Sequence, residues 1–124
     1  TIPLVVNTSG VITTANSSKR YKENIKPVED AVLDPNGLYD VQVCQYNYKP
    51  EYKDNELVSG TQIGVIAEDL DKHYPNAVIY DSEGRPESWQ DRIMIPAMLK
   101  LIQDQKKQLD ALQAEVDALK AKLQ

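Results

Sequence analysis

Ser17 and Lys22 stand five positions apart, at the one place where the chain changes character. Positions 1–16 hold no charged residue, and all 14 Lys and Arg and all 19 Asp and Glu come after them. A serine hydroxyl attacks a carbonyl carbon only when a base takes its proton. A lysine amine is that base once burial away from other cations favours its neutral form. The pair therefore offers peptide-bond cleavage by a serine–lysine dyad that waits on whatever buries the amine. Ser18 with Lys22 is the competing pair. A blander reading fits the same residues: a solvated linker in which Ser17 or Ser18 caps a helix.

No better site is legible elsewhere. His73 is the one histidine, beside Asp71 and Lys72 on a polar helix end, and reads as solvated. No Ser-His-Asp triad accompanies it. Glu68, Asp69 and Asp71 fall on different faces of a short helix and read as a solvated face, not a metal cluster. No glycine-rich phosphate loop is present. Cys44 has no second cysteine to pair with and reads as a half-buried strand residue. Neither a metal nor a cofactor is expected.

The chain has 124 residues, enough for one small domain. Hydrophobic residues make up 41% and there is no Phe. A small core with an extended or oligomeric part suits that better than one large globule. A net charge of −5 argues against a nucleic-acid surface. No apolar run approaches the roughly 20 residues that span a bilayer, and no signal peptide is evident. Thr1 is not a native start, so an upstream part is expected.

The elements that must position Ser17 and Lys22 follow from local pattern. Ile2–Val6 and Val11–Thr14 read as two strands around a turn at Asn7-Thr8-Ser9-Gly10. They are too short to bury a core and read as the end of a β-rich fibre or a docking arm. Val28–Leu33 reads as a short helix after Pro27, ended by the turn Asp34-Pro35-Asn36-Gly37. Leu38–Tyr48 alternates as a strand. Lys49–Ser59 reads as a polar loop, and Gln62–Ile66 opens apolar around Gly64. Ala67–His73 reads as a helix stopped before Pro75. Ala77–Tyr80 reads as a strand, and Asp81–Pro86 as a turn.

From Trp89 the period becomes helical. Ile95, Ile102, Leu109, Val116 and Leu123 repeat every seven residues, with Met98, Gln105, Leu112 and Leu119 between them. Spacings of three and four without a break make a heptad seam with a polar layer at Gln105. Such a stripe must be buried, and each Leu or Ile is worth roughly 1.5–3 kcal/mol when taken out of water. Leu99 and Leu101 widen the seam at its start, which favours more than two strands or packing on the domain, and Glu115 and Lys120 sit where parallel chains pair. A parallel trimer is expected. Pro96 falls in the first turns of this helix, where a missing N–H is tolerated. The fold class expected is α+β: a small mixed domain of short strands and helices, then a long C-terminal helix in a parallel trimeric coiled coil.

Several short motifs then fall in order. They are Ser17-x-x-Arg20-x-Lys22-Glu23-Asn24-Ile25, Tyr46-Asn47-Tyr48, Ile63-Gly64-Val65-Ile66-Ala67-Glu68, Pro75 after the short helix, and Ile95-Pro96 before the coiled coil. Together they resemble the endosialidase-type intramolecular chaperone domain over about positions 17–124. Similar domains close phage tail spikes, fibres and neck appendages, and occur in some eukaryotic membrane-bound transcription factors.

The resemblance implies a domain that trimerises, assists folding of the β-structured fibre before it, and then cuts itself off. Cleavage would fall between Asn16 and Ser17, with Ser17 as nucleophile and Lys22 as general base, once per chain. Positions 1–16 would be the end of the fibre, 17–92 the auto-processing domain and 93–124 the coiled coil. Gln62, Gly64 and Glu68 are implied as supporting residues. Expected partners are two further copies and the upstream fibre of the same polypeptide, with no nucleic acid and no membrane. The expected setting is the host cytoplasm during virion assembly, followed by release from the mature appendage. Three positions depart from the family pattern. Ser18 replaces an acid, Tyr21 a leucine, and Gln62 a histidine. The alternative reading is a structural trimerisation cap without proteolysis.

Overall fold

The computed structural model describes residues 2–55 and 60–124. Its class is α+β: three separate two-stranded antiparallel ladders, two α-helices and short 3₁₀ turns. β1 (Leu4–Val6) pairs with β2 (Ile12–Thr14) in the register Leu4↔Thr14, Val5↔Thr13 and Val6↔Ile12. Gly10 takes φ +78° in the connecting turn, a conformation glycine adopts without steric cost. The Asn7 side chain accepts the N–H groups of Ser9 and Val11 at 3.0 Å each, so the loop closes on itself.

Two expected elements come out differently. The expected helix over Val28–Leu33 is a single turn, in which Val32 and Leu33 N–H both donate to the Glu29 carbonyl. Pro27 before it and Pro35 just after it leave too few residues to propagate a helix. The expected long strand over Leu38–Tyr48 shrinks to β3 (Cys44–Tyr46). Its first residues instead close a 3₁₀ helix over Pro35–Asp40, opened by Asp34, whose carboxylate accepts the Asn36 N–H at 3.1 Å. Leu38 and Val41 turn inward there and pack on the core. β3 pairs with β4 (Gln62–Gly64), placing Tyr46 opposite Gln62 and Cys44 opposite Gly64. Of the polar stretch expected over Lys49–Ser59, Pro50–Asn55 forms a 3₁₀ helix and positions 56–59 lie outside the described residues.

α1 (Ala67–His73) has the expected bounds, with Glu68 and Asp69 in its first turn and Lys72 and His73 in its last, as the helix dipole favours. β5 (Val78–Tyr80) pairs with β6 (Pro86–Trp89), a strand the sequence reading folded into a turn and a helix start. Proline is tolerated at the first residue of a strand. Asp81 closes this hairpin, its carboxylate accepting the Glu83 and Arg85 N–H groups and the Arg85 Nε at 2.9 Å each.

α2 (Asp91–Lys122) runs 32 residues, ~48 Å at 1.5 Å per residue. Pro96 is its sixth residue, so the helix passes through it and the carbonyl of exposed Arg92 lacks its helical partner. The core is small. Leu70, Tyr74, Ala77 and Val78 meet Met94 and Ala97 of α2, ringed by Leu33, Leu38, Val41, Val65 and Ile93. Gly37 makes the packing possible, since a Cβ there would overlap the His73 carbonyl oxygen.

α2 thus buries Met94, Ala97 and Leu101 on its own domain. That stripe lies roughly a quarter-turn from the heptad seam at 100° per residue. The seam itself is open to solvent in the single chain: Ile102 is 62% exposed, Leu109 63% and Leu119 60%. No helix among the described residues is long and apolar enough to cross a membrane.

Candidate active site at the Asn16–Ser17 junction

The β1–β2 hairpin is closed up to its last residues. Ala15 N–H donates to the Pro3 carbonyl at 2.8 Å, and Thr14 Oγ1 bonds Asn16 Oδ1 at 3.2 Å. The chain then makes one 3₁₀ turn over Lys19–Tyr21. Tyr21 N–H donates to the Ser18 carbonyl and Lys22 N–H to the Lys19 carbonyl, both at 3.1 Å. Ser18 and Lys22 are extended on either side of that turn. The turn folds the chain back on itself, and Lys22 Nζ donates to Ser17 Oγ at 2.9 Å.

Ser18 is used differently. It is the cap of the turn, its Oγ accepting the Arg20 backbone N–H and Arg20 Nη1 at 3.4 Å each. The Arg20 guanidinium lies over the Tyr21 ring at 4.7 Å and bonds its hydroxyl at 3.1 Å. The structure therefore divides the two serines: one caps, the other meets the lysine. Just beyond, Asn24 has φ +55°, the left-handed region that asparagine tolerates better than most residues. Nothing in the sequence reading flagged this position beyond its place in the motif. Ser17 and Lys22 are both exposed in the single chain.

The three supporting candidates lie in the β4–α1 segment. Gln62 sits in β4 and donates to the Gly60 carbonyl at 3.4 Å. Gly64 faces the Tyr46 ring at ordinary contact distance. Glu68 is exposed in the first turn of α1. Among the described hydrogen bonds and ion pairs, none joins Ser17 or Lys22 to Gly64 or Glu68.

The acidic stretch of α1 is less solvated than the sequence suggested. Asp69 accepts the Gln42 backbone N–H at 2.8 Å and lies 3.5 Å from His73 Nε2, which is half-buried. Asp71 accepts a short hydrogen bond from the Tyr80 hydroxyl, which raises the phenol's pKa. Asp69 and Asp71 position α1 against its neighbours, while His73 meets Asp69 within the helix. The sequence reading missed this because the partners lie on other elements.

Two contacts tie α2 to the segment that follows the turn. Lys100 Nζ bonds Asp30 at 3.0 Å and Asp104 at 3.1 Å, with Asp30 first in raising its pKa. Gln105 Nε2 donates to the Tyr39 hydroxyl at 2.9 Å. In the core, the Tyr74 hydroxyl has no hydrogen-bond partner among the described residues, and burial, then the charge of Asp34, raises its pKa.

No curated protein matches the chain. A family model described as the chaperone of endosialidase, in a peptidase class, matches residues 17–79. That match opens on Ser17 and spans just over half of the chain. It also takes in the turn, β3, β4 and α1. The chain belongs to the chaperone of endosialidase family.

Proposed function

We propose that the chain is an intramolecular chaperone that trimerises through α2, assists folding of a β-rich phage fibre or appendage preceding it, and then releases itself. Release is cleavage between Asn16 and Ser17. The observation that carries this reading is the 2.9 Å contact between Lys22 Nζ and Ser17 Oγ, just past an uncharged β hairpin that ends at Thr14. The family match supports the chaperone part, and its start at Ser17 supports a boundary there.

The chemistry follows from which side of the bond the serine occupies. Ser17 supplies the amide nitrogen of the Asn16–Ser17 bond and also the attacking hydroxyl. Lys22, as the free amine, takes the hydroxyl proton while Oγ bonds to the Asn16 carbonyl carbon. A five-membered ring closes. The C–N bond then breaks, the lysine ammonium returns its proton to the departing Ser17 nitrogen, and an ester joins Asn16 to Ser17 Oγ. Water hydrolyses that ester, leaving a carboxylate on Asn16 and a new amine on Ser17. Each chain turns over once and one water is consumed. Burial that frees the amine would come from neighbouring copies, because in the single chain both side chains face water. The cut would thereby wait for assembly.

On this reading positions 1–16 remain with the fibre, 17–92 form the processing domain and 93–124 the coiled coil. Assembly takes place in the host cytoplasm, and the released domain leaves the mature appendage. Gln62, Gly64 and Glu68 then act, if assembly brings them to the dyad, by orienting it. The exposure of Ser17 and Lys22 favours a second reading, a trimerisation cap that keeps its N-terminal partner. Ser17→Ala and Lys22→Ala decide between them. Each is expected to leave an uncut band on a denaturing gel, a loss of roughly 10³-fold or more in rate, while the oligomer persists. Normal cutting by both variants removes the dyad, and an intact wild-type chain supports the cap.

A further inference from the structure

Gln105 is the single polar residue of the heptad seam, and it is already engaged by the domain. Its amide Nε2 donates to the Tyr39 hydroxyl across 66 positions of sequence. Tyr39 comes from the 3₁₀ helix Pro35–Asp40, whose Leu38 packs on the core beneath α2. The domain thus holds a phenol beside the seam, and the tyrosine remains 56% exposed. The seam residues on either side, Ile102 and Leu109, are exposed as well.

We propose that Tyr39 is an interface residue between copies of this chain, completing the Gln105 layer of the coil; this rests on the trimer reading above. In a parallel coiled coil, equivalent positions of every chain meet at one level. Three Gln105 amides meet there, and each brings its Tyr39. A buried amide needs a donor for its oxygen as well as an acceptor for its nitrogen. Within one copy the nitrogen is served, because the Tyr39 oxygen accepts from it. That leaves the phenol's own hydrogen to give. At this level the matching acceptor is Gln105 Oε1 of the next copy. Around a threefold axis the pattern closes into a ring, amide to phenol within a copy and phenol to amide between copies. The ring makes a polar layer tolerable in an apolar seam. It also fixes the register of the coil, since a copy that slips by one heptad carries its own Tyr39–Gln105 pair along but moves its Tyr39 away from the Gln105 of its neighbours.

The test compares association of the full chain by analytical ultracentrifugation in wild type, Tyr39→Phe, Gln105→Ala and the double variant. Tyr39→Phe keeps the aromatic side chain but removes its hydroxyl, and with it one hydrogen bond to a neighbour per copy as well as the acceptor of Gln105 Nε2 within the copy. At about fivefold per bond, association is expected to weaken about 100-fold. In the Gln105→Ala background, Tyr39→Phe is expected to change nothing. Equal association of Tyr39→Phe and wild type overturns the assignment, as does equal weakening in both backgrounds. A wild-type chain that is not a trimer overturns the trimer reading first, and that result is read before any substitution is made.

Discussion

At the scale of single residues, one 3₁₀ turn does two jobs. It spends Ser18 as a cap and returns the chain so that Lys22 reaches Ser17. The five-residue spacing was legible in the sequence, but the choice between two adjacent serines was not. Ser17 and Ser18 are the same side chain, and only the backbone path says which one faces the lysine. The account therefore predicts unequal effects. Ser17→Ala should stop cutting, whereas Ser18→Ala should slow it only several-fold, the share of roughly 1 kcal/mol expected from losing a cap. A time course of cleavage on a denaturing gel separates the two. Asn24 offers a second check, because its φ is +55°. A left-handed residue costs roughly 1–2 kcal/mol unless it is Gly or Asn. Asn24→Gly should cut at close to the wild-type rate, and Asn24→Val roughly tenfold more slowly.

At the scale of elements, legibility followed how local the causes were. α1 was readable because acids open it, cations close it and Pro75 stops it, all within ten residues. The seam of α2 was readable because a period of three and four needs no partner to be seen. The stretch after Asp34 was not readable, because Leu38 and Val41 are held by a core built from α1 and α2, far along the chain. β6 was missed although its partner is adjacent: its pairing with β5 across the Asp81 turn overrode the helical period beginning at Trp89. That turn carries a pH prediction. Hydrogen bonds from Arg85 first, and then from its loop neighbours, hold the Asp81 carboxyl below the usual carboxylate range, against a smaller opposing effect of burial. A lowered folded-state value means the stabilisation is present above the ordinary carboxylate pKa and is lost as pH falls through the lowered one. Protection of the Glu83 and Arg85 amides, taken relative to the intrinsic exchange rate at each pH, should therefore fall in acid below that range, and Asp81→Asn should flatten the response. The core makes a plainer prediction. Leu70 is fully buried, so Leu70→Ala should cost 2–5 kcal/mol in a denaturant melt, by lost burial plus the cavity left behind.

At the scale of the molecule, α2 has two faces with two destinations. Met94, Ala97 and Leu101 belong to the domain, while the apolar side chains of the seam from Ile95 to Leu123 stay exposed among the described residues of the single chain. On the proposed reading, these eight exposed apolar side chains in strict register are the interface between copies. Leu109→Asp with Leu112→Asp should place charges in that interface and yield a monomer by sedimentation, with the domain still folded by circular dichroism. The same monomer bears on the claim that matters most, that assembly of the rods is what turns the Ser17–Lys22 contact into a cut. The direct measurement is the intact mass and N-terminal residue of wild type and of this monomeric variant, followed over time after synthesis. The account predicts a product beginning at Ser17 from the trimer and an uncut chain from the monomer. A monomer that releases positions 1–16 as fast as the trimer would contradict it.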